Sequence, residues 1–340
     1  SDNYGRSYGM PITGLLNLTQ LGTGTLTLSA ANTFSGTTRL AAGGLTVANA
    51  NALQYSTLDL AAGNAGTATF SQASTLGGLA GTSNLSLGSL MLTVGNNRQS
   101  TTYGGVLSNG SLTKIGSGTL TLTNASTYTG TTGITTGVLQ LGSGGTVGSV
   151  SSSSVLALGS GRLVVNRSDA FTQAFASTAL TGGGSVSAGA SNTVNFGAIT
   201  RSAGGTLDIA TTGSFITSSA NVNGILAGIT YGGTTWAVSG TTTAITGLAE
   251  GSYTTTTTNG NTAGNYAATQ NIDVTSSPTL SGAIAANSLR FAGASAQTLT
   301  LTGANTVGGG ILVTAGVGAN LLTITGGTLA GSSGGDLVVI

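Results

Sequence analysis

The sequence predicts an all-β chain wound as a parallel β-solenoid, a rod of stacked short strands. Three observations carry this. Apolar and hydroxyl residues alternate in short runs, as in Thr25-Leu26-Thr27-Leu28, Thr119-Leu120-Thr121-Leu122 and Thr298-Leu299-Thr300-Leu301, which puts the leucines on one face of each strand. Gly, Asn or Ser bounds each run, and these residues permit turns. Long stretches also recur in register, as regular repeats of one supersecondary unit do.

In chain order, residues 1–17 read as a cap or an irregular first coil, with Tyr4, Arg6, Tyr8 and Pro11. Residues 18–212 read as continuous solenoid. Leu18-Thr19-Gln20-Leu21-Gly22-Thr23-Gly24-Thr25-Leu26-Thr27-Leu28, running on to Thr38, returns 94 positions later as Leu112 to Leu122, running on to Thr132. Shorter alternating strands lie between, at Leu45–Val47, Thr57–Leu60 and Leu90–Val94, and after the second copy at Val155–Leu158. Residues 213–270 change in texture. They hold Trp236, Glu250, the run Thr254 to Thr258, and the turn pairs Gly232-Gly233 and Asn259-Gly260, so they read as irregular coils or a projecting hairpin. Residues 271–340 return to solenoid and end on the apolar strand Leu337-Val338-Val339-Ile340.

In such a fold each strand pairs with its equivalent one coil away. Inward side chains stack into apolar columns, and Thr and Ser line the outside. Coils of roughly 20–25 residues give about 14–17 coils and a rod on the order of 70–80 Å. A globular sandwich is the alternative, but it does not explain the long in-register copies.

Residues Leu112–Thr132 with Gly137-Val138-Leu139, and Leu18–Thr38 with Gly44-Leu45-Thr46, resemble the autotransporter-associated β-strand repeat, also called the passenger-associated transport repeat. In the first copy Gln20 replaces the usual Lys and Phe34 the usual Tyr. The resemblance implies a right-handed parallel β-helix, export, a place on or beyond the outer membrane, and no catalytic residue. No β-barrel translocator segment is expected within these 340 residues, a departure from the autotransporter pattern.

Composition narrows the chemistry. There is no His or Cys, one Lys (Lys114), one Glu (Glu250), and only 4% charged residues, against roughly 25% in ordinary domains. Disulfides and Cys/His zinc sites are therefore impossible. A net charge of +1 offers no general basis for nucleic-acid binding, and no apolar run approaches a membrane-spanning helix. Ser1-Asp2-Asn3-Tyr4 lacks an apolar core, so any export signal is expected to have been removed or never included. Mean hydropathy of +0.32 with almost no net charge argues against disorder.

A lyase or hydrolase would need clustered carboxylates. Asp2, Asp59, Asp169, Asp208, Glu250, Asp273 and Asp336 are scattered along the chain, so no catalytic, cofactor or metal residue is expected. Gly334-Gly335-Asp336-Leu337 resembles a calcium-binding β-roll turn but is a single copy. Arg167 and Asp169 read as a surface ion pair of little energetic weight. Lys114 occupies the motif's usual Lys position, and an isopeptide bond there would need a buried Asn or Asp beside a carboxylate.

The expected function is a structural segment of an extracellular or cell-surface fibre. Its partner would be itself, through stacking at the end formed by Leu337, Val338, Val339 and Ile340, where either more chain or another subunit is expected. The alternative is an adhesin passenger that contacts a glycan or a neighbouring cell through surface residues such as Trp236 and Tyr253. A β-helix lyase or hydrolase comes third.

Overall fold

The computed structural model describes residues 4–61, 66–145, 147–240, 244–256, 266–331 and 336–340. Its regular structure is almost entirely β. Among the described residues the two helical elements are single 3-10 turns at Glu250–Ser252 and Ala315–Val317. The strands stack in parallel, coil upon coil, as a β-solenoid. The chain divides into two compact units: Ser1–Ala179 with Ser187–Thr200 and Thr212–Ser214, and Leu180–Val186 with Arg201–Thr211 and Phe215–Ile340.

In the first unit three parallel ladders carry the coil. One runs through Arg6–Tyr8, Thr25–Leu28, Gly44–Val47 and Thr67–Phe70. A second begins at Leu18–Gln20 and passes Thr37–Leu40 and the later halves of Leu53–Leu60 and Ser74–Gly81. It continues through Thr101–Tyr103, Thr119–Leu122, Val138–Leu141 and Arg162–Val165. The third starts at Ser74–Leu76 and runs through Met91–Val94, Ser111–Lys114, Thr132–Ile134 and Val155–Leu158. Alternation decides which side chains turn inward. Leu120, Leu139 and Leu163 form one buried column, and Leu122, Leu141 and Val165 its neighbour. Each fully buried aliphatic residue contributes roughly 1.5–3 kcal/mol.

The two motif copies do not occupy equivalent faces. Leu18–Gln20 lies on the second ladder and Thr25–Leu28 on the first, whereas Leu112–Lys114 lies on the third and Thr119–Leu122 on the second. The second copy is therefore rotated by one face about the coil axis. Between them, the long strands Leu53–Leu60 and Ser74–Gly81 absorb the change, the first with a register shift between Leu53 and Thr57.

Inside the coil, polar groups are paired along the stack. Asn32 Oδ1 accepts the Ile12 N–H at 2.8 Å, and its Nδ2 donates to the Ala52 carbonyl at 2.9 Å, so one buried amide joins three successive coils. Thr38 and Ser56 form a buried hydroxyl pair closed on the Gly36 carbonyl. Thr132, Ser154 and the Gly130 carbonyl repeat that arrangement in the second copy, where the Tyr128 hydroxyl joins it at 2.9 Å.

The second unit is built on a parallel sheet of Thr254–Thr255, Asn271–Asp273, Ala285–Phe291, Ala304–Val313 and Thr328–Gly331, with Gln297–Thr300 beside Leu322–Thr325. Its main core includes Ile272, Leu289, Leu299, Val307 and Ile311. Ile229–Tyr231 and Thr235–Val238 form an antiparallel hairpin through Gly232 and Gly233, both at φ +64°, the left-handed pair that such turns require. The other turn read from the sequence, Asn259-Gly260, lies outside the described residues.

Candidate functional site: a covered arginine cluster

The parallel pairing places Asp273 opposite Arg290, and Arg290 opposite Leu312, on adjacent strands. The neighbouring Ile272, Leu289 and Ile311 belong to the main core, so these three side chains point to the other side of the sheet. There the hairpin and the turn Glu250–Ser252 cover them. Ile225, Trp236, Tyr253 and Leu312 form a second buried apolar cluster, against which Val238, Leu248 and Ile340 pack.

Arg290 is the centre of this cover. Its Nε and Nη2 donate to Asp273 at 3.1 and 2.8 Å, and Nη1 donates to Glu250 Oε1 at 2.7 Å. Nη2 also contacts Glu250 Oε2, and the guanidinium lies over the Tyr253 ring at 3.9 Å. The Tyr253 hydroxyl bonds Thr235 Oγ1 at 2.8 Å and accepts the Trp236 N–H at 3.2 Å. Burial opposes the charge on Arg290, but the bonds from Glu250 and Asp273 outweigh it and raise its pKa. The Arg290 bond holds the Glu250 carboxyl below its usual range, and burial raises the Tyr253 hydroxyl.

The expectation of scattered carboxylates is thus corrected at one place. Glu250 and Asp273 converge on one arginine because the covering segment folds back onto the sheet. The cluster is nevertheless internally paired, and a carboxylate locked on a guanidinium is a poor general base. Elsewhere, Asp208 accepts Thr230 Oγ1 and the Gly233 N–H, and Asp336 accepts from Arg201 and the Gly204 N–H. Asp169 pairs with Arg167, whose guanidinium stacks 3.7 Å over Phe171. Asp59 faces Arg39 across a ladder. Among the described residues no group of three or more His, Cys, Asp or Glu is placed to hold a metal ion. Gly334 and Gly335 of the calcium-type turn lie outside them.

Two sets of expected contact residues are corrected. Trp236 is fully buried and Tyr253 is 7% exposed. The hairpin folds its aromatic face onto Leu312 rather than into solvent, because indole and phenol rings gain most where they are covered. At the C-terminal segment, Val338 is buried, and Leu337 and Ile340 pack on the two cores. The Val338 and Ile340 carbonyls accept from Ile311 and Val313 at 2.8 and 2.9 Å, and the Ile340 N–H returns to Ile311. Only Val339, 64% exposed, remains open as an apolar contact.

Lys114 takes an inward place in the third ladder, between Val94 and Ile134. Its ammonium donates to the Ile115 and Gly116 carbonyls at 2.5 and 2.8 Å, and burial pushes its pKa down to about 8. Gln20, at the same motif position, donates to Gly22 and Gly24, and Gln140 to Gly142. The motif's Lys/Gln position is thus a clamp on corner carbonyls. The Lys114 and Gln20 clamps and the inward Asn32 are not legible in the sequence, because inward polar residues break the apolar alternation.

Residues 18–47, 112–141 and 294–317 match the family model described as passenger-associated-transport-repeat. Three segments of the chain thus resemble this repeat. Together they cover about a quarter of its length. Two are the copies read from the sequence, and the third contains Thr298-Leu299-Thr300-Leu301 and Asn305. In that copy Asn305 reproduces the Asn32 stitch, accepting the Ile284 N–H at 2.8 Å and donating to Thr328 at 2.9 Å. No curated protein and no solved structure matches the chain.

Proposed function

We propose that this chain is a structural β-solenoid segment of an exported cell-surface protein and that it self-associates by stacking. The repeats and the fold support a structural role of the passenger-domain kind. One observation carries the stacking. Tyr4, Tyr8, Met10, Leu15, Leu16 and Leu21 are all exposed within a short stretch. Beside them a cavity of about 340 Å³ is lined by Tyr4, Tyr8, Leu18, Leu26 and Leu28. Apolar surface concentrated in this way marks association. Few charges oppose it, in a chain with one Lys and one Glu.

Sedimentation velocity and negative-stain microscopy of the whole chain test this. Concentration-dependent, end-joined particles are expected, with dissociation on Leu15→Asp plus Leu21→Asp. Monomers at every concentration sink the proposal. Contact with glycans or cells through Trp236 and Tyr253 loses its basis, because both rings are covered.

A further inference from the structure

The ladder Arg6–Tyr8, Thr25–Leu28, Gly44–Val47, Thr67–Phe70 has an outer wall of small, uncharged side chains. Of its inward positions Leu26, Leu28, Leu45 and Val47 are buried, Ala68 and Phe70 are half-buried, and Arg6 and Tyr8 on the first rung are exposed. Its outward positions form columns across the strands. Ser7, Thr27, Thr46 and Thr69 are direct partners, as are Thr25, Gly44 and Thr67. Ser29, Ala48 and Ser71 extend the same ladder by backbone bonds to Tyr8, Leu28 and Val47. Every outward side chain in these columns is Gly, Ala, Ser or Thr. None is charged and none is large, so no long side chain projects from these columns.

The hydroxyls are also ordered. Thr46 and Thr69 Oγ1 are 3.3 Å apart, and Ser29 Oγ donates to the Tyr8 carbonyl at 3.1 Å. Thr is stiff at χ1, so little side-chain freedom is lost when the array meets a surface. The backbone sets its mesh at ~4.8 Å between strands and ~6.6 Å between alternate residues.

The array's chemistry selects its ligand. Phosphate-rich polymers need cations, which this wall lacks. Flat rings need aromatic platforms, and protein interfaces centre on aromatic, Met and Arg residues. What remains is an uncharged, planar, periodic partner that exchanges hydrogen bonds and accommodates methyl groups. We propose that this wall binds ice, with its threonine hydroxyls and methyls holding water in a lattice continuous with the crystal. The spacing between strands lies within a few tenths of an ångström of the oxygen repeat along an ice axis.

The test uses the full chain in ice-affinity partition and in a grain-growth assay of polycrystalline ice. The wild type is expected to enter growing ice and to arrest coarsening. Thr46→Tyr, in the middle of the wall, is expected to weaken this by about tenfold or more, which corresponds to ~1.4 kcal/mol. Thr121→Tyr, outward on a different ladder, is expected to leave it unchanged. Circular dichroism checks folding, and Thr69→Tyr on the outermost rung replaces Thr46→Tyr if that variant unfolds. Wild-type protein excluded from ice as serum albumin is, or wall variants as active as the wild type, would overturn the proposal.

Discussion

Lys114 offers a direct test of the interior, because its charge sits where an apolar column would continue. The residue is 1% exposed and bonds two main-chain carbonyls. Replacing it with Met removes both donors. Leaving a buried carbonyl unpaired costs about 1–3 kcal/mol, partly offset here by removing a buried charge. A net loss of about 2–3 kcal/mol is expected for Lys114→Met. Lys114→Gln is expected within about 1 kcal/mol of wild type, since an amide can still donate to a corner carbonyl, as Gln20 and Gln140 do.

The pH dependence provides an independent reading. The folded pKa is lowered to about 8 from 10.5, so above pH 8 the folded chain releases a proton that the unfolded chain keeps. Stability therefore rises with pH between about 8 and 10.5. From pH 7 to 9.5 this shift corresponds to a gain of about 2 kcal/mol. Tyr103 and Tyr128 work in the opposite direction. Burial raises both, so their contribution is intact below pH 10 and falls above it, outside this window. Urea denaturation at pH 7 and 9.5 would measure the wild type against Lys114→Gln. Equal pH dependence in the two proteins would refute the reasoning.

Three further outcomes follow from named contacts. Asp273→Asn leaves Arg290 buried and half-paired and is expected to cost about 3–5 kcal/mol in urea denaturation. Glu250→Gln, at a side chain 76% exposed, should cost under ~1 kcal/mol because solvent screens the pair. Asn32→Ala strands the Ile12 N–H and the Ala52 carbonyl, for about 2–4 kcal/mol by the same assay. Trp236, the single tryptophan, should emit at short wavelength and resist acrylamide quenching until the second unit unfolds.

The fold was legible because period-two alternation and Gly corners are local properties. Thr25-Leu26-Thr27-Leu28 shows its buried face in the sequence itself. The arginine cluster was not legible, since Glu250 and Arg290 lie 40 positions apart and meet only through the covering segment. Trp236 was read as outward because a hairpin's sequence does not say which face it lays on the sheet. Lys114 was recognised as a motif residue, but its clamp depends on corner carbonyls that only the folded backbone assembles.

The turn of the repeat from one wall to the next has an evolutionary consequence. A unit that seats equally well on different sides of a triangular stair need not keep step with its neighbours when it is copied. Unequal exchange between genes can then add or remove stretches of arbitrary length, and each newcomer finds a wall to lean on.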